Sequence, residues 1–340
     1  MNLLRLRAIL RSIQRQRILV IGDFFLDKYL IVDSSLKERS LETSRPAHQV
    51  VAVRRSPGGA GTVTSNLAAL GAETHALGIA GEDGEGWDLL RGLQATRVHT
   101  DLFIHVPGHL TGAYIKPMLR SRRGERETER LDLRRRGPLD RVTIRNITAH
   151  LHDSIKQVDG VIAVDAVPED FGVIGPKVRN ELARLGGKFL ILADSRRRIG
   201  LFRNVLIKPN LYEAARALRI RKPPRASKSW IARASRSLYK RTGRPVFITA
   251  EVKGIFVFDG KQLNHSPALA VGGKIDIVGA GDCVAATLCA AICAGATLQE
   301  AAEIGNIAAS VVIHKLGTTG TASPAEILKS CRKEYRRSGT

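Results

Sequence analysis

Apolar runs of strand length alternate with segments of helical period along most of this chain, and few architectures accept that order. "RILVIGDFF" (17–25) reads as a buried strand, "TSNLAALGA" (64–72) as a helix stopped by Gly71, "ETHALGIAG" (73–81) as a strand and "EGWDLLRGLQA" (85–95) as a helix. After "VDGVIAVDAV" (158–167) the alternation resumes: helix 176–186, strands 188–194 and 204–210, helix 211–219, a basic loop at 221–229 and strands in "RPVFITA" and "GIFVFDG". Helices at 280–295, 298–315 and 323–335 close the chain. A β-α-β-α order of this kind predicts a three-layer α/β/α core, with a mostly parallel central sheet and helices on both faces. Two stretches, about 30–55 and 100–135, break the pattern. "HQVVAVRRS" and "TGAYIKPMLRS" read there as short extended pieces, which predicts a small sheet inserted into the main domain.

The 340 residues suit one large domain, taken here as 17–335 and preceded by a basic amphipathic helix over 1–16. That helix runs directly into the first strand, which favours it over a transit peptide. No stretch is apolar for long enough to span a bilayer, so no membrane partner is expected. Cys283, Cys289, Cys293 and Cys331 form no C-x-x-C pair and read as small buried residues, which suits a reducing cytoplasm. The net charge is +22, from 54 Lys and Arg against 32 acids, and such a field attracts anions. Zinc-finger spacing, aromatic-rich RNA motifs and heptads are missing, so no specific nucleic acid is expected.

The sharpest local signal is Gly279-Ala280-Gly281-Asp282 at the head of an apolar helix. Each glycine inside a helix costs roughly 1 kcal/mol. A strand, a glycine turn and a helix start together bring free N–H groups up to an anion. A carboxylate beside a bound phosphate weakens binding, but it can take the proton of an attacking hydroxyl. The segment therefore reads either as a phosphoryl-transfer turn or as a plain cap on a core helix. The chain has no G-x-x-x-x-G-K-[ST] loop. "GGAGTV" and "GAGDCV" both lack the third glycine of G-x-G-x-x-G. Asp27, at the end of the first strand, lies where open α/β sheets bind ligands.

"DIVGAGDCV" resembles the C-terminal signature of the ribokinase/PfkB carbohydrate kinases, and "PGGAGTVTSNLAALGA" (57–72) their N-terminal di-glycine signature. "VIGDFFLD" (20–27) and "IKPNLYEA" (207–214) are similar to two further segments, in the family's order. The resemblance implies an ATP- and Mg²⁺-dependent kinase of a sugar or sugar phosphate, with Asp282 as base and Gly279, Ala280 and Gly281 as anion hole. It implies sugar contacts at Asp27, Gly58, Gly59 and Thr62, while Asp23 shares Asp27's role or buttresses it. Asn210 and Glu213 would organise Mg²⁺ through water. Lys208, Thr249 and Gly254 would lie along the nucleotide phosphates. A monovalent cation would sit near Asp276. The inserted sheet would close over the sugar as a lid and pair two subunits into a homodimer.

"GNIAASVVIHKLGTTGTASPAEI" (305–327) is similar to the heptose 7-phosphate kinases of the ADP-heptose pathway. That branch implies D-glycero-D-manno-heptose 7-phosphate as acceptor and the 1,7-bisphosphate as product. It places Asn306, Ala309 and Ser310 beside the adenine. Lys116 and Arg130 are then candidate partners of the acceptor's own phosphate. Thr62 stands where the family usually has Asn, and Glu251 where it usually has Gly or Ser. The alternatives are a kinase of another small sugar (ribose, fructose or a nucleoside) or a catalytically silent kinase-like binding protein.

Overall fold

A computed structural model describes residues 1–337 apart from 122–123, 170, 222–226 and 318. Most of the basic loop expected at 221–229 lies outside the described residues. The central sheet has eight strands. In spatial order from one edge they are Leu263–Ser266, Ile255–Phe258, Val246–Thr249, Leu206–Ile207, Ile191–Ser195, Gly160–Asp165, Arg17–Gly22 and Glu73–Leu77. Every pairing from Glu73–Leu77 to Val246–Thr249 is parallel, and the last two strands are antiparallel additions.

Side-chain alternation divides the core into two layers. Ile18, Val20, Ile162, Val164 and Leu192 face the helices Ala60–Leu70, Ala280–Cys293 and Leu298–Val312. Leu19, Ile21, Val161, Ala163 and Ile191 face Arg141–Ser154, Pro176–Leu185 and Lys228–Thr242. Strands buried on both faces read as continuous apolar runs, as these do. The N-terminal helix, Leu3–Ile13, belongs to the first layer: Leu6, Ile9, Leu10 and Ile13 are buried there, and Arg5 pairs with Glu300 at 2.8 Å.

A second sheet is built from Phe24–Arg39, Pro46–Gly59, Ala113–Ser121, Gly124–Glu127 and Leu131–Leu133. It starts earlier than the sequence suggests. "RILVIGDFF" is not one strand: the central strand stops at Gly22, and Phe24 already belongs to the second sheet. Asp23 is the joint, with its N–H on the Val164 carbonyl of one sheet and its own carbonyl accepting from Ala60 N, just past the other. "ETHALGIAG" also splits. A side chain at Gly78 would meet the Phe24 ring at 2.5 Å, and beyond it Ile79–Ala80 pairs with Ile104–His105 instead. Residues 100–112 accordingly lie outside the second sheet.

Candidate active site

The turn before Ala280–Cys293 is shaped by backbone rather than by side-chain bonds. Gly279 caps the helix at φ +82°, a conformation that costs other residues dear, and Cys283 N donates to its carbonyl at 2.9 Å. Gly281 has an ordinary φ and opens onto free space. A side chain there would meet only the Lys208 ammonium, at 3.9 Å. The glycine at 281 thus keeps the cleft clear rather than relieving strain.

Asp282 is half-buried beside that space. Burial, then the nearby Asp194 carboxylate, pushes its pKa up to about 7, against the pull of Lys208 and Arg196. Lys208 is buried and holds Asp194 at 3.0 Å. Burial opposes its charge, but Asp194 and Glu213 together outweigh burial and raise its pKa. Glu213 is likewise pushed up by burial and by Asp194. One ammonium thus faces three carboxylates, Asp194 near the end of a parallel strand and Glu213 and Asp282 in the first turns of two helices. A free-enzyme base of pKa about 7 predicts that kcat/KM rises with pH to about 7 and then levels, because protonated Asp282 cannot accept a proton. Lys208→Met, which removes a nearby positive charge, moves that limb to higher pH. A pH–rate series on both proteins measures the shift, and an unmoved midpoint would separate Lys208 from the base.

Asn210 and Glu213 form a capping box: Asn210 Oδ1 accepts from Glu213 N and Glu213 Oε2 from Asn210 N, both at 2.8 Å. The box fixes the start of Leu211–Ala217 and leaves the other Glu213 oxygen without a backbone partner. Asp194, Glu213 and Asn210 make an all-oxygen donor set with excess negative charge. That suits Mg²⁺, which keeps much of its water. Asp194 was not singled out from the sequence, although an acid ending a parallel strand was there to be seen.

Asp27 lies on the second sheet. Its Oδ1 accepts from Lys116 at 2.9 Å, and its Oδ2 occupies the space that a side chain at Gly58 would need, 2.4 Å from that position. Gly59 ends the strand and caps Ala60–Leu70, and buried Thr62 sits one turn into that helix, against Gly279. Asp27 and Asp282 are close enough that the first raises the pKa of the second.

Most other residues expected at the site also carry bonds or packing within the fold. Asp23 is buried and accepts from Ala166 N, Val167 N and Val173 N at 2.7–2.9 Å, so it buttresses a loop rather than presenting free oxygens. Lys116 is bound to Asp27 and lies over the Tyr29 ring. Arg130 is held by Asp132 at 2.6 Å and stacks on Tyr114. Neither is an unengaged cation for a phosphate. Gly254 is required by the fold, since a Cβ there would lie 2.2 Å from the Ser266 carbonyl. Asn306 spends its amide nitrogen on Ser266 and Pro267, and the Ser310 hydroxyl donates to the Ile307 carbonyl. Thr249 is tied through its N–H to Pro209 and bridges to Asn210. Partly buried Ala309 and buried Ser310 stand on Leu298–Val312, and Ser310 lines an open groove with Val271, Gly272 and His314. Asp276 Oδ1 accepts from Val278 N at 3.0 Å.

Fold and site together describe an α/β phosphotransferase acting on an alcohol group. The chain belongs to the pfkB family of carbohydrate kinases, whose model matches residues 15–127 and 203–326. It is 29% identical over 327 residues to the bifunctional protein HldE of Trichlorobacter lovleyi, covering 94% of this chain and 63% of that protein. It is 28% identical over 329 residues to HldE of Yersinia pseudotuberculosis, covering 96% of this chain and 66% of that protein. The chain thus spans about two thirds of the length of these relatives or a little less. The fold is similar to Arabidopsis thaliana ribokinase complexed with ribose and ATP (TM-score 0.68, 17% identity, 93% of this chain and 98% of that one). It is similar also to Escherichia coli phosphofructokinase-2 in complex with potassium (TM-score 0.69, 18% identity, 94% and 99%).

Proposed function

We propose that this carbohydrate kinase transfers the γ-phosphoryl group of Mg-ATP to a hydroxyl of a phosphorylated sugar, with D-glycero-D-manno-heptose 7-phosphate the first choice and the 1,7-bisphosphate its product. The observation that carries the transfer step is the half-buried carboxylate cluster around buried Lys208, with Asp282 at the clear glycine turn. Asp282 accepts the hydroxyl proton, and the N–H groups after Gly279 receive the moving phosphoryl group. Bound Mg²⁺ supplies charge neutralisation of the nucleotide phosphates, and Asp194, Glu213 and Asn210 are the residues that would hold it. Asp27 orients the sugar. The second sheet acts as a lid that keeps water from the transfer. The similarity to HldE proteins supports the heptose phosphate over ribose or fructose.

A homodimer through the second sheet belongs to the same proposal. Leu36, Val50, Val51 and Leu131 are exposed there and offer apolar area for a second copy. The monovalent cation beside Asp276 rests on the family resemblance alone.

The test is a panel of sugars and sugar phosphates assayed for ADP release with Mg-ATP. Loss of a charge-assisted contact costs about 1.5–3 kcal/mol. The free heptose is therefore expected to be used at least about tenfold less efficiently than its 7-phosphate. Equal efficiency, or a preference for free ribose, fructose or a nucleoside, would sink the sugar-phosphate assignment and leave the sugar kinase.

A further inference from the structure

Between the second sheet and the loop that follows Asp165 lies a cavity whose polar lining the protein does not satisfy. Phe25, His109, Tyr114, Arg134, Arg135 and Phe171 are among the residues around it. Three nitrogens there are sealed from solvent with no hydrogen-bond partner: His109 Nδ1, Arg134 Nε and Arg135 Nη1. Buried polar groups are bonded in the great majority of cases, so three orphans on one cavity call for an explanation. Arg134 is partly engaged, bonding Asp132 at 2.7 Å and Glu169 at 3.4 Å. Arg135 makes no hydrogen bond or ion pair among the described residues. Burial lowers its pKa, and only the more distant attraction of Asp23 opposes this. Asp23 makes no bond to Arg135 among the described residues, and its oxygens instead accept from the backbone of the 166–173 loop.

The cavity opens on the face of the second sheet that carries Asp27. Phe25 and Asp27 are two apart on one strand, so they point to the same side. Tyr114 is the parallel register partner of Asp27 and lines the cavity. A molecule resting its hydroxyls on Asp27 therefore lies on the same face of the sheet as this cavity.

We propose that Arg135, with His109 and Arg134, binds the terminal phosphate of the acceptor sugar and is the determinant that selects phosphorylated over free sugars. It rests on the sugar-phosphate kinase activity proposed above, and it assigns the contact to residues other than Lys116 and Arg130. The chemistry fits a phosphate monoester. Its three terminal oxygens accept from several directions at once, and the planar guanidinium fork binds it in two places. The apolar walls supplied by Phe25 and Phe171 strengthen the attraction by excluding water.

The experiment compares the wild type with Arg135→Ala, Arg135→Lys and Arg135→Met, on D-glycero-D-manno-heptose 7-phosphate, fructose 6-phosphate and the matching free sugars. Arg135→Ala is expected to raise KM for the phosphorylated sugar about ten- to hundredfold, so that the preference for phosphorylated over free sugar collapses. Arg135→Lys restores part of it. Without ligand, Arg135→Met melts above the wild type, because a charge with no bonded partner has been removed from the cavity. A wild type that prefers the phosphorylated sugar, with an Arg135→Ala variant that keeps the same preference, overturns the Arg135 assignment alone. A wild type without that preference, or inactive on every phosphorylated sugar, overturns the sugar-phosphate function and the assignment with it.

Discussion

Asp282→Asn lowers turnover about 10²- to 10⁴-fold while nucleotide affinity stays close to that of the wild type. The amide keeps the shape of the side chain but cannot accept the acceptor's proton. The same substitution has a second signature. The pKa of Asp282 is raised by burial to about 7, so the folded protein holds this proton more tightly than the unfolded chain does. Its contribution to stability is fully present at acid pH, declines as pH rises from about 4 towards 7, and is lost above that. Asp282→Asn is therefore expected to melt above the wild type at pH 8, with the gap closing towards pH 4. Steady-state ADP release, nucleotide calorimetry and melting at two pH values test all three expectations. Turnover near the wild-type rate would remove Asp282 from the mechanism.

Gly281→Val is expected to cost about 10²-fold in turnover with little loss of stability. The backbone at 281 is one that any residue adopts, and a Cβ there meets nothing nearer than the Lys208 ammonium at 3.9 Å. The added methyls project into the space kept clear for the phosphoryl group. Gly279 is the contrasting position: at φ +82° and 2.7 Å from the Thr319 methyl, a side chain there strains the turn itself. Turnover and melting temperature measured together separate the two cases. A stable Gly281→Val protein with full activity would contradict the anion-hole role.

The core of the fold was readable because it is written in short-range pattern. Strands such as Gly160–Asp165 are buried throughout and apolar up to the final aspartate, and the helices that cover them repeat at helical period. The glycine turn was readable for the same reason, since its parts are contiguous. Residues 17–25 were misread as one strand because nothing local marks a change of sheet; the change depends on Val164 and the 166–173 loop, more than 140 positions away. The Leu263–Ser266 strand is short and polar at three of its four positions, and only its pairing with Ile255–Phe258 defines it. Asp194, His109 and Arg135 escaped notice because each is a single charged or polar residue. Arg135 in particular is one of 54 basic residues, distinguished only by where the fold leaves it. That Gly254 is also demanded by the fold was invisible in the sequence, because the Ser266 carbonyl beside it arrives from a different strand.

Labour is divided between the two sheets. Asp194, Lys208, Glu213 and Asp282 hang from the central sheet and its helices, whereas Asp27, Lys116 and Tyr114 hang from the second sheet, made of two separate stretches of chain. The first link between them is Asp23, whose carboxylate is locked to the central body, and the chain crosses again after Gly59, before Ala113 and after Leu133. On the function proposed above, an evolving lineage can therefore change the second sheet and the flanking residues 109 and 134–135, and with them the choice of acceptor, without displacing the glycine turn at 279–281. Diversification of taste is thereby separated from preservation of reaction, with the exposed strand positions free to vary while Phe24, Phe25, Leu26 and Ala113 stay anchored in the core.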